Sequence, residues 1–131
     1  MTEIAQFTTP LCIEKIGAHR WILTDHLRYR TKVLNGGFVV PRGFQTDLAS
    51  IPRPLWVIAP KVDVYDPAVV LHDAAYGNAL LTWDLEHRVF LVKEWADQLF
   101  YEALLVCGVR TARARLMYAM VIAFGDPAGH P

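Results

Sequence analysis

Net charge is the first thing missing from this sequence. Thirteen basic and thirteen acidic side chains cancel over 131 residues, which leaves five histidines to move the balance. A neutral chain gives no electrostatic reason to bind nucleic acid or an anionic membrane surface. The only basic cluster, Arg110, Arg113 and Arg115, reads as a solvated helix face. Cysteine is scarce as well. Cys12 and Cys107 lie far apart and form no metal-type spacing, so free thiols in a reducing cell are expected, with a single disulfide as the alternative. There is no long apolar run. The stretch 116–124 is about half the length that spans a bilayer, so no transmembrane segment is expected. The opening MTEIAQFTTP lacks the basic start and apolar core of a signal peptide. The protein is therefore expected to be cytoplasmic when synthesised, with release on lysis or carriage in a virion still open. No repeat and no low-complexity linker interrupts the chain.

What is present is an ordinary core. Hydrophobic residues make up 53% of the sequence, and a domain of this length buries about two thirds of its unfolded surface. A single domain over 1–131 is expected, of α+β class. Residues 1–46 read as mainly β, 47–125 as mainly α, and 126–131 as a frayed tail. Segments 11–16, 19–24 and 27–33 read as strands, the last with clear alternation of apolar and polar residues. Asn35-Gly36-Gly37 tolerates positive φ and suits a hairpin turn into Phe38-Val39-Val40, which Pro41 ends. A small antiparallel sheet packed on about three helices follows.

The hydrophobic period changes near Thr46. Pro52 and Pro54 suit a short helical start at 53–59. Asp66-Pro67 reads as an N-cap followed by proline at the first helical position, opening a helix over 67–80. A second helix is expected over 93–107, stopped by Gly108. A third has Thr111 as N-cap and ends at Phe124, with Gly125 at C′. Residues 82–92 read as either loop or a short strand.

Polar residues fall on apolar faces of these helices. Ala68, Val69, Ala75 and Ala79 make a stripe that also carries His72 and Tyr76, four residues apart, with Asp73 beside it. Ala96, Phe100, Leu104 and Cys107 make a second stripe that carries Asp97. A lone carboxylate on a buried face is costly without a partner. Packing the two helices antiparallel, with Asp97 accepting a hydrogen bond from His72, removes that cost, fixes one imidazole tautomer and raises its basicity. Upstream, Gly43 and Pro52 frame Thr46-Asp47-Leu48-Ala49-Ser50 as a shaped loop. Asp47 and Asp73 together suit a hard cation such as calcium, which takes several oxygens including loop carbonyls. Each residue also has a plainer reading. His72 with Asp97 is a satisfied core pair, Asp73 a surface or salt-bridged residue, Asp47 an Asx turn, and Tyr76 core. Trp56, Trp83 and Trp95 read as core or rim.

The runs VPRGFQTDLASIPR (40–53), VLHDAAY (70–76) and ADQLF (96–100), with Gly108-Val109, Met117-Tyr118 and Phe124-Gly125, resemble a family of small phage and prophage proteins catalogued as a domain of unknown function. The resemblance spans roughly 26–125 and implies no activity. His72-Asp73-x-x-Tyr76 on one helix and Asp97 on the next also resemble the active site of secreted phospholipase A₂, whose small bacterial members carry an Asp-x-x-Ser loop like Asp47-Leu48-Ala49-Ser50. That resemblance implies His72 as the base that activates water and Asp97 as its orienting partner. It implies Tyr76 hydrogen-bonded to Asp97, and calcium on Asp47, Asp73 and the Leu48 carbonyl. The disulfides beside the histidine and the glycine-rich calcium loop of those enzymes are absent, and Ala75 stands where a cysteine is usual.

Three functions compete at this point. One is a calcium-dependent phospholipid or ester hydrolase acting on lipid or another host envelope component. Another is a non-catalytic phage structural or accessory protein assembling with particle proteins. The last is a peptidoglycan-degrading or other hydrolase using a different metal, zinc or manganese.

Overall fold

A computed structural model describes residues 4–48 and 65–125. The short helix expected at 53–59, Ala49 and Ser50 of the loop, Trp56, and the tail at 126–131 lie outside the described residues. The β-then-α order is as expected. Among the described residues, seven strands and three helices run β1 (Gln6–Phe7), β2 (Ile13–Gly17), β3 (Arg20–Leu23), β4 (Leu27–Thr31), β5 (Gly36–Val40), β6 (Gln45–Thr46), α1 (Asp66–Tyr76), β7 (Leu81–Thr82), α2 (Lys93–Val106) and α3 (Thr111–Phe124).

The strands form two antiparallel sheets rather than one. The larger has the order β1-β4-β5-β7 and the smaller β2-β3-β6. The β4–β5 hairpin pairs Leu27 with Val40 through Thr31 with Gly36, and Asn35 takes φ 50° in its turn. Leu27, Tyr29 and Thr31 point into the core while Arg28 and Arg30 alternate outward. Both outward guanidiniums stack on Trp83, at 5.0 and 4.5 Å, and Arg28 also donates to the Trp83 carbonyl at 2.8 Å. Gly37 lies directly beneath that indole, where a Cβ would collide with the ring. Of the ambiguous stretch 82–92, only Thr82 enters a strand, joining Leu81 in β7, and Leu81 also bridges to Arg88.

α2 packs between α1 and α3, and α1 and α2 also touch the larger sheet. α1 is buried on nearly every side: Val70, Leu71 and Ala74 are as enclosed as the stripe of Ala68, Val69 and Ala75. It ends four residues before the expected 80. Asn78 turns left-handed at φ 56°, Ala79 N–H donates to Ala74 O at 2.8 Å, and Asn78 N–H donates to Ala75 O at 3.3 Å. That is a Schellman stop with asparagine in the position glycine usually takes. α2 stops in the same way at Gly108, φ 94°, with Val109 N–H on Leu104 O. α2 starts at Lys93 as expected, but the starts of α1 and α3 each differ by one residue from expectation. Tyr65 caps α1, so Asp66 is its first helical residue, and Arg110 rather than Thr111 caps α3.

Glu102 on α2 ties helix to sheet. It accepts from the hydroxyl of the fully buried Tyr29 at 2.8 Å and from the N–H groups of Lys32 and Val33 at 3.0 and 3.1 Å. Arg110, Arg113 and Arg115 are all exposed. Both cysteines are free thiols. No helix among the described residues is long and apolar enough to cross a membrane.

Candidate active site

His72 and Asp97 meet between α1 and α2. His72 Nε2 lies 2.9 Å from Asp97 Oδ1, and each residue is only 1% exposed. Tyr76, one turn along α1, donates its hydroxyl to the same oxygen at 2.5 Å. Two aromatic rings pack against the imidazole, Phe100 at 4.5 Å and Tyr76 at 4.1 Å between centroids. The Asp97 carboxylate, ionised, accepts only, so Nε2 carries the proton and Nδ1 keeps its lone pair. That Nδ1 is buried and has no hydrogen-bond partner among the described residues.

Lys93 is a participant that the helical stripes did not reveal. Its Nζ donates to Asp97 Oδ2 at 2.7 Å, Val121 O at 2.8 Å and Ile122 O at 3.1 Å. The lysine therefore caps the last turn of α3 and neutralises Asp97 together. The signal was available as Lys93 and Asp97 four residues apart on one helix. Burial alone would raise the Asp97 carboxyl, but hydrogen bonds from His72, Lys93 and Tyr76 outweigh it and hold the group below its ordinary value. Burial pushes His72 below its ordinary value, and Lys93 adds to that. The Asp97 charge opposes both without reversing them, so the imidazole is neutral at pH 7.

Gly125 closes this end of the site. Expected as a left-handed C′ residue, it is extended instead, at φ −65° and ψ 139°. Its requirement is space, because a Cβ there would collide with the Tyr76 hydroxyl and the Val121 carbonyl.

Asp47 and Asp73 line a second feature, a cleft of about 460 Å³ shared with His19, Arg20, Gln45 and Thr46. Asp73 follows His72 on α1, so the two Cα atoms are about 3.8 Å apart. Burial pushes the Asp73 carboxyl up, the nearby Asp47 charge pushes the same way, and a Thr46 hydrogen bond opposes them. Leu48 takes φ 59° and donates its N–H to Thr46 Oγ1 at 3.0 Å, while its side chain packs on the core. Asp73, half-buried, and Asp47, exposed, both line this cleft and are the carboxylates that could hold a hard, oxygen-seeking cation there. No group of three His, Cys, Asp or Glu side chains suited to a metal occurs among the described residues, so the remaining ligands to calcium would be carbonyls, a hydroxyl or water.

This arrangement makes a prediction. In metal-free buffer, Asp73→Asn is expected to melt higher than the parent, since a neutral amide replaces a carboxylate whose charge is penalised by burial and, to a lesser degree, by Asp47. The sign follows from the raised carboxyl: ionising it costs stability as pH rises above the ordinary carboxylate value, so the variant's advantage grows from acid to neutral pH. Differential scanning fluorimetry across pH, with chelator present, checks it.

Residues 21–121 match a family model described as "Protein of unknown function (DUF1353)". The chain belongs to this family. All of the site residues above fall inside the matched region except His19, Arg20, Ile122 and Gly125, which lie just outside it. Among curated relatives, the chain is 35% identical over 100 residues to "Uncharacterized protein y4iH" of Sinorhizobium fredii (strain NBRC 101917 / NGR234). That match takes in 74% of this chain and 38% of the relative, so the chain spans well under half the length of the curated relative it matches. No solved structure matches.

Proposed function

We propose that this DUF1353 chain is a hydrolase of carboxylic esters, with phospholipids as the substrate class, in which His72 is the general base. The observation that carries the reading is the asymmetry of His72. One nitrogen is held by Asp97 and the other is an unpartnered base, on an imidazole packed against Phe100 and Tyr76. His72 Nδ1 takes a proton from water as the water oxygen bonds to the ester carbonyl carbon. The bond to the alcohol oxygen then breaks, and Nδ1 returns the proton to that oxygen, leaving a fatty acid and a lysophospholipid. Asp97, steadied by Tyr76 and Lys93, keeps the imidazole oriented and favours its transient charge. Asp47 and Asp73, with the Leu48 carbonyl, are the residues to hold calcium; when bound, calcium supplies polarisation of the ester carbonyl and a counter-charge for the oxyanion. The similarity of Asp47, His72-Asp73, Tyr76 and Asp97 to the phospholipase A₂ pattern supports the same roles.

A second reading has its own observation. Lys93 neutralises Asp97 and His72 is almost wholly buried, as in a polar core pair that only holds two helices together. In that reading the protein is a non-catalytic phage component, made in the cytoplasm and associated with virion proteins, consistent with the phage-like signature. A peptidoglycan hydrolase with zinc has less support, since such a metal prefers a compact set of nitrogen, sulfur or carboxylate ligands.

Mixed phospholipid vesicles separate these readings. The hydrolase releases fatty acid in calcium and stops in chelator. Equal release in both, or none in either across several lipid classes, sinks the hydrolase and favours the structural component.

A further inference from the structure

α3 buries Ala114, Met117, Met120 and Val121 against the rest of the domain. Its opposite side is apolar as well. Ala112, Leu116, Ala119 and Ala123 recur at helical spacing and form one stripe, which Ile122 borders. All five are exposed, Leu116 at 37% and Ile122 at 50%. A helix side that meets water ordinarily carries charge, and a helix that is apolar all round is ordinarily covered. Arg115 is the charged side chain on this outer side, and it stands in the N-terminal half of the helix. Charge of the opposite sign lies at the other end. Lys93 Nζ bonds to the carbonyls of Val121 and Ile122, so Glu94, the next residue, sits beside the C-terminal half of α3. Glu94 and Arg115 are both exposed, and neither has a side-chain hydrogen bond or ion pair among the described residues.

We propose that a second copy of the chain docks on this outer face of α3, helix antiparallel to helix, in a two-fold dimer. The two ends of the face carry opposite charge, so the face complements itself when the copies run in opposite directions. With the axis passing through Ala119, Leu116 of each copy meets the partner's Ile122, because the two residues are equally far from the axis in sequence. The same rotation carries Arg115 toward the partner's Glu94, and symmetry makes that pair twice. A parallel arrangement would instead set Arg115 on Arg115 and Glu94 on Glu94. Alanines along the seam let the two helix axes approach to about 8–10 Å. α3 has 14 residues, a length of about 21 Å, so the contact is smaller than a standard interface and the dimer is a weak, reversible one. Dimerisation through α3 stands apart from ester hydrolysis, since it needs none of the side chains of the His72 site.

The test is analytical ultracentrifugation of the full chain from about 5 to about 500 µM, the range over which a weak dimer dissociates. The parent is expected to pass from monomer to dimer across that range. Ala119→Glu puts two carboxylates at the axis and is expected to stay monomeric throughout, with a parent-like circular dichroism spectrum. Arg115→Glu and Glu94→Arg each weaken association about tenfold or more, because each sets like charges together at both ends of the seam. The double variant, with the charges exchanged, recovers most of the parent's affinity. Ile16→Ser, which removes an exposed apolar side chain from β2, leaves association unchanged. A parent that is monomeric at every concentration overturns the dimer; if it then floats with phosphatidylcholine vesicles and Ala119→Glu does not, a lipid surface covers the face instead. A dimer that Ala119→Glu leaves intact, or single charge reversals that the double variant does not rescue, overturns the antiparallel seam.

Discussion

Asp97→Ala is expected to lower the free energy of unfolding by about 3–5 kcal/mol, because it strips the acceptor from donors that have no water to turn to. His72 Nε2 and the Tyr76 hydroxyl both end on Oδ1 in a buried position. Lys93 loses Oδ2 but keeps two carbonyls and some solvent, so it carries the smaller part of the cost. Asp97→Asn keeps one acceptor oxygen while turning N–H donors toward another donor, and falls between the parent and the alanine variant. The pH dependence has a definite sign. The Asp97 carboxyl is held below its unfolded value, so its contribution is fully present above the ordinary carboxylate range and fades as pH falls through the lower folded value. Urea unfolding at neutral and acid pH therefore shows a gap between parent and Asp97→Ala that narrows in acid. A gap near zero at neutral pH would mean that the three donors find other acceptors.

His72→Gln is expected to fold and to lose about 10²–10⁴-fold in turnover of phospholipid ester, the share usual for a positioned general base. The glutamine amide still reaches toward Asp97 with an N–H, so the carboxylate keeps a donor and the ring cavity between Phe100 and Tyr76 is mostly refilled. No lone pair of useful basicity remains where Nδ1 stood. Fatty-acid release, with circular dichroism to confirm the fold, checks this. Parent-like release would assign His72 to the core alone.

The sequence made the helix pair legible because its polar residues sat at odds with their apolar faces. His72, Tyr76 and Asp97 each needed a partner, and the partners are one another. Lys93 escaped notice because attention to the buried stripe passes over a lysine on the rim, although its spacing from Asp97 was readable. The early end of α1 was also readable, in Gly77-Asn78, but Ala79 and Leu80 continued the apolar pattern beyond the stop. Two sheets in place of one, and Glu102 tied to Tyr29 across 73 residues, depend on which strands meet in space. Local alternation carries no such information.

The tautomer of His72, and its response to calcium, tests the base reading most directly. A long-range proton–nitrogen spectrum of the imidazole at neutral pH is predicted to show Nε2 protonated and Nδ1 bare, with the Nδ1 signal moving on addition of calcium and staying still in Asp73→Asn. A proton on Nδ1, or on both nitrogens, would contradict the account, since Asp97 would then not be fixing the tautomer that leaves a base in the site.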